Sequence, residues 1–295
     1  MLDYSQLEAL RAVLRHGSFE RAAAALHVTP SAVSQRIRAL EEQMGSVLIQ
    51  RGTPARPTAT GQRLLHHAEQ VALLEAGLST DLNGGMPAQG PLTVRAVVNA
   101  DSLDSWFLRA IGQTDGLLYD ISSDDQDVST QWLRRGDVMA AITANPKPVQ
   151  GCDCIALGAL RYLATASPQF VARYFAGGVD WDAARQAPML MFNRKDQMQN
   201  QWLKRELGLI PTPPLQFIPS THGFIEAATR GIGWGLNPLL LLDRPLKTGA
   251  LIAIGANPVF DVPLFWQYNR IAAKALEPLT RAIREVSKEC LVPLP

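Results

Sequence analysis

Gly17–Leu40 reads GSFERAAAALHVTPSAVSQRIRAL, a pattern that predicts two short helices joined by a tight turn. Ser18 caps the first, and Phe19, Ala22, Ala23 and Leu26 share one side of it at helical spacing. His27-Val28 makes the turn. Thr29 caps the second helix, with Pro30 at its first position, where the missing N–H costs nothing. Val33, Ile37 and Leu40 repeat at i, i+4, i+7 and face inward, which puts Ser31, Ser34, Gln35 and Arg38 on the opposite face with Arg36 beside them. That face carries no carboxylate before Glu41. Hydroxyls, an amide and guanidinium groups suit base edges and phosphates in a major groove. The stretch therefore reads as a helix-turn-helix with residues 30–43 as its recognition helix. A plain helical hairpin with a polar outer face is the alternative.

Outward from this stretch, a helix over Tyr4–His16 presents Leu7, Leu10, Val13 and Leu14 and supplies the third helix a small core needs. Gly45 stops the recognition helix, Val47–Ile49 reads as a short strand, and Arg51–Thr58 forms a stiff loop holding Arg51 and Arg56. Strand, loop and strand make a wing whose arginines reach a phosphate or a narrow minor groove. From Thr60 to about Leu78 a helix carries an apolar edge of Leu64, Ala68, Val71 and Leu74 that it cannot bury alone, so a second copy is the expected partner. Ser79–Pro91, rich in Gly, Pro and small polar residues, is a linker.

The remainder alternates strands and helices, among them a strand at Leu163–Ala166 and a closing helix over Lys274–Lys288, which argues for an α/β architecture with ligands near strand ends and helix starts. Gly231–Gly235, GIGWG, lacks the spacing of a phosphate loop and reads as a helix-to-strand turn. Residues 1–67 hold eight Arg, no Lys and five carboxylates, for a net charge of +3 against −2 in the rest. A basic head on a mildly acidic body fits a DNA reader joined to another module. Hydrophobic content of 47% with 19% charged residues is that of an ordinary globular chain. No secretory signal or membrane-length apolar run is visible, and Cys152, Cys154 and Cys290 suit free thiols, so the expected compartment is the cytoplasm. No nucleophile–base set, metal cluster or cofactor loop stands at a readable spacing, which argues against an enzyme and against a cofactor.

With SFERAAAALHVTPSAVSQRIRALEEQMGSVLIQR and RPTATGQRLL laid out, the chain resembles the LysR-type transcriptional regulators over essentially its whole length. VNADSLDSW (98–106), LRRGDVMAAI (133–142) and LGALRYL (157–163) are similar to the arginine/lysine-responsive, ArgP/LysG-like branch. The resemblance implies a winged helix-turn-helix over residues 1–60, a dimerising linker helix and hinge over 61–91, and a sensor over 92–295. The sensor would fold like a type II periplasmic binding protein, with lobe I at about 92–161 and 267–295 and lobe II at about 162–266. It also implies double-stranded DNA and RNA polymerase as partners, and a homodimer that pairs again into a dimer of dimers.

The expected effector is lysine or arginine, in control of basic amino acid export or metabolism. A different small metabolite, or a ligand-independent nucleoid or origin binder, are the alternatives. Asp115, Asp120, Asp124, Asp125 and Asp127, with no nearby Lys or Arg, would make an acidic cleft rim. As turn formers and caps the same residues need no ligand. Asn99 and Asp101 are placed to take the α-ammonium, and Trp106 to wall the stem or face a guanidinium. Ser102, and Ser220 with Thr221, open helices and are the candidates for the effector's carboxylate. Relatives in that branch tend to carry Ser-Ser-Glu where this chain has Ser220-Thr221-His222.

Overall fold

The computed structural model describes residues 2–50, 52–82, 92–123 and 129–294. Two compact units divide the chain, one of residues 1–90 with 271–275 and one of 91–270 with 276–295.

In the first unit, α1 (Tyr4–His16), α2 (Phe19–Ala25) and α3 (Pro30–Met44) begin on caps legible in the sequence: the side chains of Asp3, Ser18 and Thr29 accept from the N–H groups of Ser5, Arg21 and Ala32. Gly17 and Gly45 end α1 and α3 in the left-handed conformation. Leu7, Leu10, Val13, Ala22, Ala23, Val33, Ile37 and Leu40 form one buried cluster, closed by Leu48, Ile49, Leu64 and Ala68. The wing is smaller than expected: β1 (Ile49–Gln50) pairs antiparallel with β2 (Arg56–Pro57). Helix α4 (Ala59–Leu82) begins on Thr58, whose Oγ1 accepts from Gly61 N at 3.0 Å and donates to Val47 O at 2.8 Å. Gly61 is required there, because a Cβ would lie 2.0 Å from the Leu48 carbonyl oxygen.

The second unit opens with β3 (Leu92–Val98), then α5 (Ala100–Ser102), which continues through a π turn at Leu103–Phe107 into α6 (Leu108–Ile111). β4 (Leu117–Ser123), α7 (Ser129–Arg135) and β5 (Ala140–Thr143) follow, with β4 and β5 both parallel to β3. β6 (Cys152–Ala166) carries the chain on to α8 (Pro168–Tyr174), α9 (Trp181–Gln186) and β7 (Met189–Met191). Next come α10 (Met198–Leu207), β8 (Leu215–Phe217), α11 (Thr221–Thr229), β9 (Gly235–Pro238), α12 (Asp243–Lys247) and β10 (Ile252–Ala253). β11 (Val259–Asn269) returns antiparallel to β6, and α13 (Glu277–Cys290) closes the chain. The main sheet runs β10-β6-β11-β5-β3-β4, with β9 also on β6, while β7 and β8 form a separate parallel pair. β6 and β11 thus connect a first half built on β3–β5 to a second built on β7–β10. Their pairing is pinned by the bidentate Arg161–Asp261 ion pair, both oxygens at 2.8 Å from guanidinium nitrogens, on directly opposed residues.

Four expectations need correction. The strand expected at Leu163–Ala166 is the end of a 15-residue strand, since Gly158 at φ 131 and a shift at Leu264/Phe265 break its alternation midway. Helices α9 and α12, of six and five residues, are too short to leave a readable period. The closing helix starts at Glu277 rather than Lys274, where Pro278 favours a helix start. Trp106, expected to wall a ligand, is 1% exposed and packs edge-on against Phe107 at 5.9 Å in the core. The GIGWG turn is as expected, with Gly231 at φ 71 between α11 and β9.

Candidate functional site

On the head, the chemistry lies on one face of α3. Ser31, Ser34, Gln35 and Arg38 are exposed and Arg36 half-buried, opposite the buried Val33, Ile37 and Leu40. Thr29 is occupied as the cap, its hydroxyl 2.9 Å from that of Ser31, and Pro30 holds the first turn. Glu41, which ends the carboxylate-free face, turns toward the wing: its Oε1 accepts from Leu48 N at 2.8 Å. That bond ties wing to recognition helix, a role the sequence pattern does not reveal. Arg56 is exposed on β2; Arg51 lies outside the described residues.

In the second unit a cavity opens where several strand ends meet. Asp101 reaches it from the helix after β3, Asp196 from the turn after β7 and Gln199 from the first turn of α10. Thr221 comes from the start of α11 after β8, and Asn237 from β9. Phe192, Met198, Phe224, Leu236 and Pro238 supply apolar walls. Strand carboxyl ends are where open α/β sheets hold ligands. Among the described residues, two carboxylates line this cavity and no Lys or Arg does.

Asp101 joins the two halves of the sensor. Its Oδ1 accepts from Thr221 Oγ1 and its Oδ2 from Tyr162 Oη, both at 2.7 Å. Burial pushes its carboxyl above the usual range; the two hydroxyls oppose that shift, and the Asp196 and Asp104 charges add to it. Asp196 organises its own turn, accepting from Phe192 N and Met198 N at 3.0 Å each. Gln199 is fully buried with neither Oε1 nor Nε2 partnered, and Asn237 is bonded only through Nδ2, leaving Oδ1 open. Open buried polar groups around a cavity are what a polar ligand satisfies.

Of the residues expected to meet an effector, the structure brings together Asp101 and Thr221. Asn99 and Ser102 are buried with unpartnered side-chain oxygens but do not line the cavity. Ser220 is exposed, its hydroxyl capping α11 by accepting from Gly223 N at 3.1 Å. Asp115 and Asp120 are exposed and away from the lining, where the carboxylates among the described residues are Asp101 and Asp196. Asp124, Asp125 and Asp127 lie outside the described residues. Asp196, Gln199 and Asn237 were missed in the sequence. Each follows or ends a strand, and three-residue β7 and four-residue β9 were the signal.

The comparisons with known proteins fit both halves. Residues 4–62 match the bacterial regulatory helix-turn-helix protein, lysR family, and residues 93–288 match the LysR substrate binding domain. The chain belongs to the LysR family of transcriptional regulators. Among its LysR-family relatives, the lysine export transcriptional regulatory protein LysG of Corynebacterium glutamicum is 38% identical over 98% of this chain and 99% of its own. The crystal structure of ArgP from Mycobacterium tuberculosis superposes with a TM-score of 0.81 at 38% identity, covering 100% of both chains. Full-length LysG from Corynebacterium glutamicum, solved with bound effector Arg, gives a TM-score of 0.69 at 35% identity over 99% of this chain and 100% of that one. A winged helix-turn-helix joined to a LysR sensor is therefore the architecture, and DNA-binding transcriptional regulation the function. Among the described residues no helix is long and apolar enough to cross a membrane.

Proposed function

We propose that this LysR-family regulator senses a basic amino acid, lysine or arginine, in the cavity between the halves of its sensor. The observation that carries the reading is the cavity's charge: among the described residues Asp101 and Asp196 line it, and no Lys or Arg does. Such a site attracts a ligand of net positive charge and repels glutamate or another anion. The apolar walls suit an aliphatic stem, and the open oxygens of Gln199 and Asn237 suit N–H donors. Arginine bound to LysG of Corynebacterium glutamicum is the parallel in a relative. Because Asp101 bonds Thr221 across the two halves, a ligand cation that competes for Asp101 changes how they are held together. It shifts the sensor only through its difference in affinity for the two arrangements.

In the head, Ser31, Ser34 and Gln35 read bases, while Arg36, Arg38, Arg51 and Arg56 hold phosphates. Leu74 on α4 is 57% exposed, so the apolar edge continues past the head's core and pairs with a second copy, and such pairs assemble again on paired DNA sites. RNA polymerase is the downstream partner, and the compartment is the cytoplasm. A gel shift of the full chain on the divergent promoter beside its own gene tests this reading. Arginine or lysine is expected to change the mobility or affinity of the complex and glutamate to leave it unchanged. A complex indifferent to every amino acid refutes it.

A further inference from the structure

An amino acid effector brings a carboxylate as well as a cation, and among the described residues no cationic one lines the cavity to receive it. The hydroxyl of Thr221 is committed to Asp101, and the amide nitrogen of Asn237 to Thr165 Oγ1 at 2.9 Å. Ser220 caps its own helix from the surface. The lining side chain with an open donor is that of Gln199, 0% exposed with both amide atoms unpartnered. It is the second residue of the ten-residue α10, whose first N–H, that of Met198, already donates to Asp196 Oδ1 at 3.0 Å, so the free amide of Gln199 rather than the helix end is the donor on offer.

We propose that Gln199 receives the effector's α-carboxylate through Nε2, while its Oε1 accepts from the ligand's α-ammonium. This rests on the basic amino acid reading above and adds to it the residue that selects an amino acid over the amine with the same side chain. A neutral amide fits this role, because beside Asp101 and Asp196 the zwitterionic head then keeps its ammonium near the acids and its carboxylate on the Gln199 Nε2. Without Gln199 the carboxylate is buried among like charges with no side-chain donor, a loss of a hydrogen bond to a charged group.

Calorimetric titration of the full chain with arginine and with agmatine, which is arginine lacking its carboxylate, tests this in the wild type and in Gln199→Met and Gln199→Glu. Arginine is expected to bind Gln199→Met roughly tenfold more weakly or worse, with agmatine changed by about twofold at most. Gln199→Glu should lose arginine further yet bind agmatine at least as well as wild type, which also shows that the cavity is intact. Equal losses for both ligands in Gln199→Met, unchanged arginine affinity, or no binding of agmatine by Gln199→Glu overturns the proposal. Wild type that binds neither arginine nor agmatine fails the basic amino acid reading itself.

Discussion

Asp101 is a carboxylate held where burial opposes its charge, and the consequences can be signed. A folded pKa raised above the unfolded one contributes stability that is present below the ordinary carboxylate range and is lost as pH rises through the raised value. A cationic effector prefers the ionised form, so its affinity should fall as pH is lowered through the raised pKa, with a proton released on binding. Asp101→Asn should flatten that pH dependence and weaken arginine roughly tenfold or more, with the ligand-free unfolding temperature at neutral pH unchanged or higher. Titrations from acidic to neutral pH on both proteins check it; the same slope in Asp101→Asn would remove Asp101 from the site. Gly61 gives a second test at this scale. Gly61→Ala drives a methyl into the Leu48 carbonyl, and should unfold or markedly destabilise the head in a thermal melt, whereas the neighbouring exposed Arg63→Ala should not.

At the scale of elements, α3 divides its labour along its length. Ser34→Ala should cost about 1 kcal/mol of DNA affinity and relax base preference. Arg38→Ala should weaken all sequences alike and reduce the salt slope by about one. Binding measured on operator and random duplexes over a salt series separates the two; an Arg38→Ala protein with unaltered affinity and slope contradicts the placement of that face. Glu41 sits on the same helix but serves the wing rather than DNA. Glu41→Ala removes the acceptor for Leu48 N and should cost the head about 1–2 kcal/mol, seen in its urea midpoint. The head was legible because its helices are strongly periodic, with capping residues and glycines at both ends of α1 and α3. Glu41's bond was not, since it joins residues seven apart through a fold that sequence spacing does not draw.

Over the whole molecule, the division into a helical reader and an α/β sensor was legible, as were most strands, because apolar runs bounded by turn residues mark them. The effector site was legible only in part. Asp101 and Thr221 stand at helix starts, where the chain's local grammar points, and meet 120 residues apart in sequence. Asp196 and Gln199 follow the three-residue β7, and Asn237 lies in the four-residue β9, strands whose placement is decided by pairing with β8 and β6 rather than by local pattern. Of the acidic run at 115–127, Asp115 and Asp120 lie away from the lining, since net charge along a sequence says nothing about which carboxylates are buried; Asp124, Asp125 and Asp127 lie outside the described residues. At this scale an effector at 100 times its Kd should stabilise the full chain by about 2.7 kcal/mol, read as a rise in its unfolding temperature.

The most direct measurement of the central claim is the thermal unfolding of the full chain with arginine, lysine and glutamate, in the wild type and in Asp101→Asn. The wild type should be stabilised by arginine or lysine and not by glutamate, and Asp101→Asn should lose most of that shift. Stabilisation by glutamate, or a basic amino acid shift undiminished in Asp101→Asn, would contradict a cation site built on the buried acids.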